Sequence, residues 1–261
     1  LLTWALEAHA VDHCNLRCVH CCTLSPRLAE RFLDPRELER DLALAARVLR
    51  PAIFKLTGGE PLLHPGLLDL LEVARASGIS PQLSLTTNGL LLERQPDALF
   101  ERLERLTLSL YSSAPLPEGA LERVEARCRE HGLVLTVKRI SRFARMDAPA
   151  RLEPEQAHQV HAACWLKVRC HMLRAGRFYA CTRPPHLQQA LAARGLSLPL
   201  ARQDGVALEG QAAALLSRLA DYLERAEPLA SCSFCLGASG AWEPHAQDRR
   251  KAGRAAGALL P

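Results

Sequence analysis

Ala52-Ile53-Phe54-Lys55-Leu56-Thr57 runs without a break into Gly58-Gly59-Glu60-Pro61. A short, mostly apolar run that stops at glycines reads as a strand of a parallel sheet. The two glycines let the backbone come close to another group and expose its peptide units, and Glu60 places an acceptor at the strand's C-terminal end. Outward from this stretch the same pattern repeats. Residues 81–87, 105–111 and 133–140 are further short apolar strands, and residues 3–13 form the first. Helices separate them. Asp34 is an N-cap followed by Pro35 at the first helical position, with Glu37 at the capping-box position and Leu38, Leu42, Ala45 and Leu49 on one face. A helix over 65–77 stops at Gly78, and one over 117–130 stops at Gly132. Repeated strand–helix units predict an α/β fold with a parallel sheet or barrel, whose functional residues sit at the strands' C-terminal ends.

The first such end carries Cys14-Asn15-Leu16-Arg17-Cys18-Val19-His20-Cys21. Three thiolates on one short loop can surround one metal centre. Structural zinc wants four protein ligands, whereas three cysteines suit a cubane iron–sulfur cluster with one iron left open. The spacing alone leaves a cluster, zinc and plain buried thiols as alternatives. Cys22 and Cys128 read as packed thiols.

Taken together, the three-cysteine loop and the Gly58–Pro61 tetrad resemble the radical SAM superfamily. Thr86-Thr87-Asn88-Gly89 and Ser109 add to the likeness, and His20 stands where that family carries an aromatic residue or histidine. The resemblance covers about residues 4–140. It implies a partial (β/α)6 TIM-like barrel and a [4Fe–4S] cluster held by Cys14, Cys18 and Cys21. It also implies that the open iron chelates S-adenosylmethionine, which one electron cleaves to a hydrogen-abstracting 5′-deoxyadenosyl radical. Carried over by residue, it implies that Gly58, Gly59, Glu60 and Pro61 line the methionine amine site, with Glu60 as the side-chain acceptor. His20, Asn88, Ser109 and Arg139 are further S-adenosylmethionine contacts.

Beyond residue 150 the pattern changes. A helix over 153–163 leads to a hairpin about Ala175-Gly176, then helices over 186–194 and 209–226, then Cys232-Ser233-Phe234-Cys235. Cys170, Cys181, Cys232 and Cys235 can close a four-thiolate site, for which zinc and iron–sulfur are both chemically suited. The Gly176-x4-Cys181 spacing resembles SPASM and twitch extensions. It implies a small α+β twitch-type domain with one auxiliary [4Fe–4S] cluster that accepts an electron in a substrate oxidation. The family spacing fits Cys164 as first ligand, but hairpin geometry favours Cys170, which is preferred here. The expected domains are 1–150 for the barrel, 151–238 for the auxiliary-cluster domain, and 239–261 as a flexible tail.

Composition narrows the setting. No apolar run is long enough for a membrane span, and no export signal opens the chain. Ten cysteines in 261 residues without an export signal point to cytoplasmic metal or redox chemistry rather than disulfides. A net charge of +5 fits an anionic substrate or acidic partner without itself arguing for nucleic acid, and 5% aromatic residues weaken a base-stacking reading, so nucleic acid is not an expected partner. The expected partners are an external electron donor such as flavodoxin or ferredoxin and a small-molecule or peptide substrate. The compact chain shows no leader-binding winged helix, which favours a small polar metabolite: a sugar, cyclitol or nucleoside of a natural-product pathway. Modification of a ribosomally made peptide and a non-catalytic zinc module are the alternatives. No residue is singled out as catalytic.

Overall fold

A computed structural model describes residues 1–248. Its elements run β1 (Leu2–Val11), α1 (Pro35–Ala45), β2 (Arg50–Gly58), α2 (Leu67–Ala76), β3 (Leu83–Thr87), α3 (Asp97–Glu101), β4 (Arg105–Tyr111), α4 (Ala120–Glu130), β5 (Val134–Ile140) and β6 (Arg142–Ala144). They continue with α5 (Pro154–Ala163), α6 (Leu166–Arg169), β7 (His171–Arg174), β8 (Arg177–Tyr179), α7 (Arg183–Ala192), α8 (Leu200–Asp204), β9 (Gly205–Ala207), α9 (Ala212–Glu224) and β10 (Trp242–Pro244).

The main sheet has the order β5-β4-β3-β2-β1-β7-β8-β9. The pairs from β5 through β1 to β7 are parallel, and β7-β8 and β8-β9 are antiparallel. No pairing joins β5 to β9 among the described residues, so the sheet stays open. This is a partial TIM-like barrel of mixed α/β class. The sixth parallel strand, β7, comes from the C-terminal part and adds to the free side of β1.

Alternation along the strands sorts the two faces. Leu6, Ala8 and Ala10 of β1, Phe54 and Leu56 of β2, Leu83 and Leu85 of β3, and Leu106 and Leu108 of β4 join one apolar core with Leu38, Leu42, Leu70 and Leu71 of α1 and α2. The intervening residues face the other way and are polar. On that inner face Glu7 is level with Lys55, Lys55 with Ser84, and Ser109 with Lys138. A sheet with helices on one side and a polar concave side on the other is built to hold a polar ligand.

Local signals account for most element ends. Asp34 Oδ1 accepts from the Arg36 N–H at 2.7 Å, with Pro35 next in line. Glu37 does not close the expected capping box; its carboxylate takes the Arg31 guanidinium at 2.7 and 2.8 Å. Ala175 and Gly176 have φ of 49° and 73°, the two positive values of a type I′ hairpin turn.

The segment 239–261, expected to be a flexible tail, is corrected where it is described. β10 pairs antiparallel with β6, and the backbones of residues 246–248 bond those of Arg17 and Val19. Trp242 and Glu243 supply strand and contact residues that the Ala- and Gly-rich composition hid. Residues 249–261 lie outside the described part. No helix among the described residues is long and apolar enough to cross a membrane.

Candidate functional site

The ends of β1, β2 and β3 converge on the first cysteine loop. Gly58 and Gly59 make this convergence possible. A Cβ on Gly58 would run into the carbonyl oxygen of Val11, and one on Gly59 into that of His13. Without side chains, the Gly59 N–H donates to Val11 O at 3.0 Å and the Glu60 N–H to His13 O at 3.1 Å. The glycines were expected to admit a ligand. What they admit is the backbone of 11–13, directly before Cys14.

Glu60 is fully buried. Its Oε1 accepts from Thr87 Oγ1 at 2.6 Å and from the Leu62 N–H at 3.1 Å, and its Oε2 accepts from the Asn88 N–H at 2.8 Å. Burial pushes its carboxyl up to about 7, against the pull of these bonds. The carboxyl group thus braces the β3 exit, and Pro61 starts the short turn Pro61–Leu63 below it. Asn88, positioned by Glu60, donates from Nδ2 to Asn15 Oδ1 at 2.7 Å and lies 3.9 Å from Cys14 Sγ. Cys14, Glu60 and Asn88 are therefore one linked unit.

Each thiol of the loop has a polar neighbour. Cys14 Sγ accepts from the Leu16 N–H at 3.3 Å, Cys18 Sγ from Gln247 Nε2 at 3.3 Å, and Cys21 Sγ lies 3.2 Å from Thr23 Oγ1. Burial pushes Cys14 up to about 12 and Cys18 to about 11, and in both the charge of neighbouring thiols adds to it. Cys14 and Cys18 ionise with difficulty beside further thiols, and a shared cation would relieve that, which is the chemistry of a metal-centre donor set. Gln247 was missed because it falls in the segment read as a tail.

The other expected contacts divide. Ser109 bonds to Tyr111, whose hydroxyl is pushed up by burial and then by the thiols of Cys22, Cys18 and Cys21, so both belong to the mouth of the sheet. His20, at φ 61°, places Nε2 2.9 Å from Glu243 Oε2 and ties the loop to β10. Arg139 is a correction. It is exposed on edge strand β5, level with Leu110, which packs on the outer core, so it faces away from the mouth. The basic residue of β5 on the inner face is Lys138. Glu7, Lys55 and His9 lie deeper on that face, with Lys55 Nζ 3.5 Å and His9 Nε2 3.6 Å from the Glu7 carboxylate. Burial opposes ionisation of Glu7, but its bonds to His9 and Lys55 and their charge hold it below the ordinary value.

Beside them, His9, Asp12 and His186 present ligand atoms within 4.8 Å of one another. Arg174 already forks Asp12 with two bonds of 2.7 Å. That cation neutralises the one carboxylate, so the cluster reads as a packed polar interior under α7.

The second cysteine group also gathers, with one substitution. Cys164, Cys181, Cys232 and Cys235 line one cavity together with Arg183 and Gly237. The thiols of Cys235, Cys232 and Cys164 add to burial in pushing Cys181 well up. A Cβ on Gly237 would lie 3.0 Å from Cys164 Sγ, so the glycine makes room beside that thiol. Cys170 is not in this cavity. Burial pushes its thiol up to about 12, with Glu7, Lys55 and Lys138 of the inner face and Cys164 of the cavity acting on it, and by counting alone it would sit opposite Cys181. However, the β7-β8 ladder stops at Met172↔Tyr179, and α6 intervenes before Cys170. The cavity thus holds Cys164 where Cys170 was expected. Cys22, expected to be packed, is exposed in the mouth near Cys170.

The comparisons with known proteins agree with this geometry. A model of the radical SAM superfamily matches residues 10–147, just over half of the chain. The chain belongs to the radical SAM superfamily. This radical SAM chain is 37% identical over 117 residues to a GTP 3′,8-cyclase of Microcystis aeruginosa, covering 42% of this chain and 35% of that protein. It is 42% identical over 98 residues to a GTP 3′,8-cyclase of Chlorobaculum tepidum, covering 37% and 29%. The matched stretch spans about a third of those relatives' length. Among solved structures, BtrN in complex with AdoMet and 2-DOIA aligns with a TM-score of 0.52 at 14% identity, covering 86% of this chain and 83% of BtrN. At that identity the likeness is one of fold, and it extends through the C-terminal part.

Proposed function

We propose that this radical SAM enzyme oxidises a small polar metabolite, with a second [4Fe–4S] cluster held by Cys164, Cys181, Cys232 and Cys235 as the electron acceptor. The observation that carries the reading is the gathering of four thiols from three separate segments into one cavity, apart from the three thiols of the first loop. Four thiolates fully ligate a cubane cluster, whereas three leave an iron open.

When bound, the first cluster and S-adenosylmethionine supply a reducing electron and a 5′-deoxyadenosyl radical. The chain's own residues do the rest. Cys14, Cys18 and Cys21 hold the open cluster, and Asn15, Asn88, Thr23 and Gln247 fix the loop that carries them. Glu60 keeps the β3 exit, and hence Asn88, in register with Cys14. The inner face binds and orients the substrate through Glu7, Lys55, Ser109 and Lys138. That set of paired charges and hydroxyls suits a hydroxylated or amine-bearing molecule. The similar proteins are GTP 3′,8-cyclases, and GTP is also a small polar compound. An external one-electron donor of the flavodoxin or ferredoxin kind reduces the first site.

The test is anaerobic reconstitution followed by iron analysis and product detection. About eight irons per chain are expected, four for each cubane cluster. Reduced protein with S-adenosylmethionine releases 5′-deoxyadenosine. Zinc at either site after anaerobic work, with four irons or none, overturns the two-cluster reading.

A further inference from the structure

We propose that Arg183 is a positioning residue for the auxiliary centre: its buried guanidinium donates into the four-cysteine cavity and raises the reduction potential of the cluster held there. The inference rests on the two-cluster reading above.

Arg183 follows Cys181 by two residues and is 2% exposed. Its backbone N–H lies 3.4 Å from Cys181 Sγ, and its side chain lines the same cavity as Cys164, Cys181, Cys232 and Cys235. Two corners of the guanidinium have partners. Nη1 donates to Cys22 O at 3.0 Å, and Nη2 donates to Asp147 Oδ1 at 2.5 Å. The third, Nε, is buried and has no acceptor in the protein. A buried N–H of an ionised group is costly to leave unpaired, so its absence of a protein acceptor calls for a ligand. A cluster held by the four thiols would supply acceptor sulfurs in the cavity that Arg183 lines.

Charge gives the sign. Reduction of a fully thiolate-ligated cluster adds one electron and no proton, so the reduced form is more negative by one charge. A fixed cation and an N–H donor both stabilise the more negative form, and burial strengthens both effects. Asp147 works against this. It shares its carboxylate between Arg183 and Arg27 at 2.5 Å each, and its backbone bridges to that of Cys235. Arg183 lines the cavity, and Asp147, which does not, meets it at the Nη2 corner. The Arg183–Cys22 bond also links the auxiliary cavity to the residue next to Cys21. The electron to be accepted is the one left on the substrate radical after hydrogen-atom abstraction, its proton leaving separately.

The experiment is an EPR-monitored dithionite titration of the reconstituted full chain in a Cys18→Ala background, where only the auxiliary couple remains. Four irons per chain must first be found. If that background binds none, the separate-site reading fails, and this inference with it. With four irons present, Arg183→Met is expected to weaken reduction at least tenfold, a downward shift of about 59 mV for a one-electron couple. Asp147→Asn, which leaves the Arg183 charge less compensated, shifts the midpoint upward. If Arg183→Met fails to take up iron, Asp147→Asn alone decides. Unmoved midpoints, or shifts of both variants in the same direction, overturn the proposal.

Discussion

The two thiol sites of this chain are built in opposite ways. The first draws Cys14, Cys18 and Cys21 from one loop of eight residues, so sequence proximity does most of the gathering. The second draws Cys164, Cys181, Cys232 and Cys235 from three segments, and tertiary packing must do it. Bringing distant residues together costs more conformational entropy than closing a short loop, and a bound metal offsets that cost. The difference predicts different failures. Removing one thiol from the first site should destroy its chemistry and leave the fold. Removing one from the second should loosen the packing of α5, α7 and the 229–237 segment.

The largest expected effect is therefore at Cys18. Cys18→Ala should abolish 5′-deoxyadenosine release and lower iron from about eight to about four per chain. Cys232→Ala should lower iron by the same amount yet retain release that is uncoupled from substrate. Iron analysis and chromatography on the two variants side by side check this. Joint loss of both clusters from either variant contradicts two independent sites. Within the second site, Cys164→Ala should lose the four irons that Cys170→Ala keeps.

How much of this was legible before folding follows the same division. β4 spans the stretch read from sequence, 105–111, whereas the first loop's ligand set rests on the family resemblance, because spacing alone leaves zinc and buried thiols open. The two faces are not legible in the sequence, where the strands read as apolar runs; they emerge only from the sheet register, which sets Glu7, Lys55, Ser84 and Ser109 opposite the core residues. What failed were choices that depend on local rotation or on distant partners. Cys170 is level with Cys181 by counting, but α6 turns it to the inner face. Arg139 ends an apolar strand, yet parity places Lys138, not Arg139, inward. Gln247 and Glu243 become site residues only because β10 pairs with β6, a contact across about a hundred residues of chain with no local signal.

Glycines sharpen the comparison at the next scale. Gly59 in the first region is closed in by the carbonyl of His13, whereas Gly176 in the second has nothing within 4 Å of an added Cβ and only a positive φ. Gly59→Ala must move the backbone before Cys14 and should cost on the order of 3–5 kcal/mol. Gly176→Ala carries the left-handed penalty alone, about 1 kcal/mol. Chemical denaturation measures both. Equal costs would show that crowding at the β2 exit is relieved by small shifts, and that the first loop is less tightly held than its bonds indicate.

The smallest effect tests the seam between the regions. Asp41 of α1 accepts from the Gly176 N–H of the hairpin at 2.8 Å, joining the barrel's first helix to the extension. It is 5% exposed. Burial pushes its carboxyl from 3.8 up to about 6, although the Gly176 bond favours the ionised form. Because the folded value is the higher one, the folded chain binds the extra proton. This contribution to stability is complete below about pH 4 and is lost as pH rises through about 6. A displacement of that size corresponds to at most about 3 kcal/mol. Asp41→Asn keeps an oxygen for Gly176 and removes the charge. It should match the parent near pH 4 and exceed it above pH 6 in urea denaturation. If the two curves run parallel from pH 4 to 7, the Asp41 carboxyl is not desolvated at this seam.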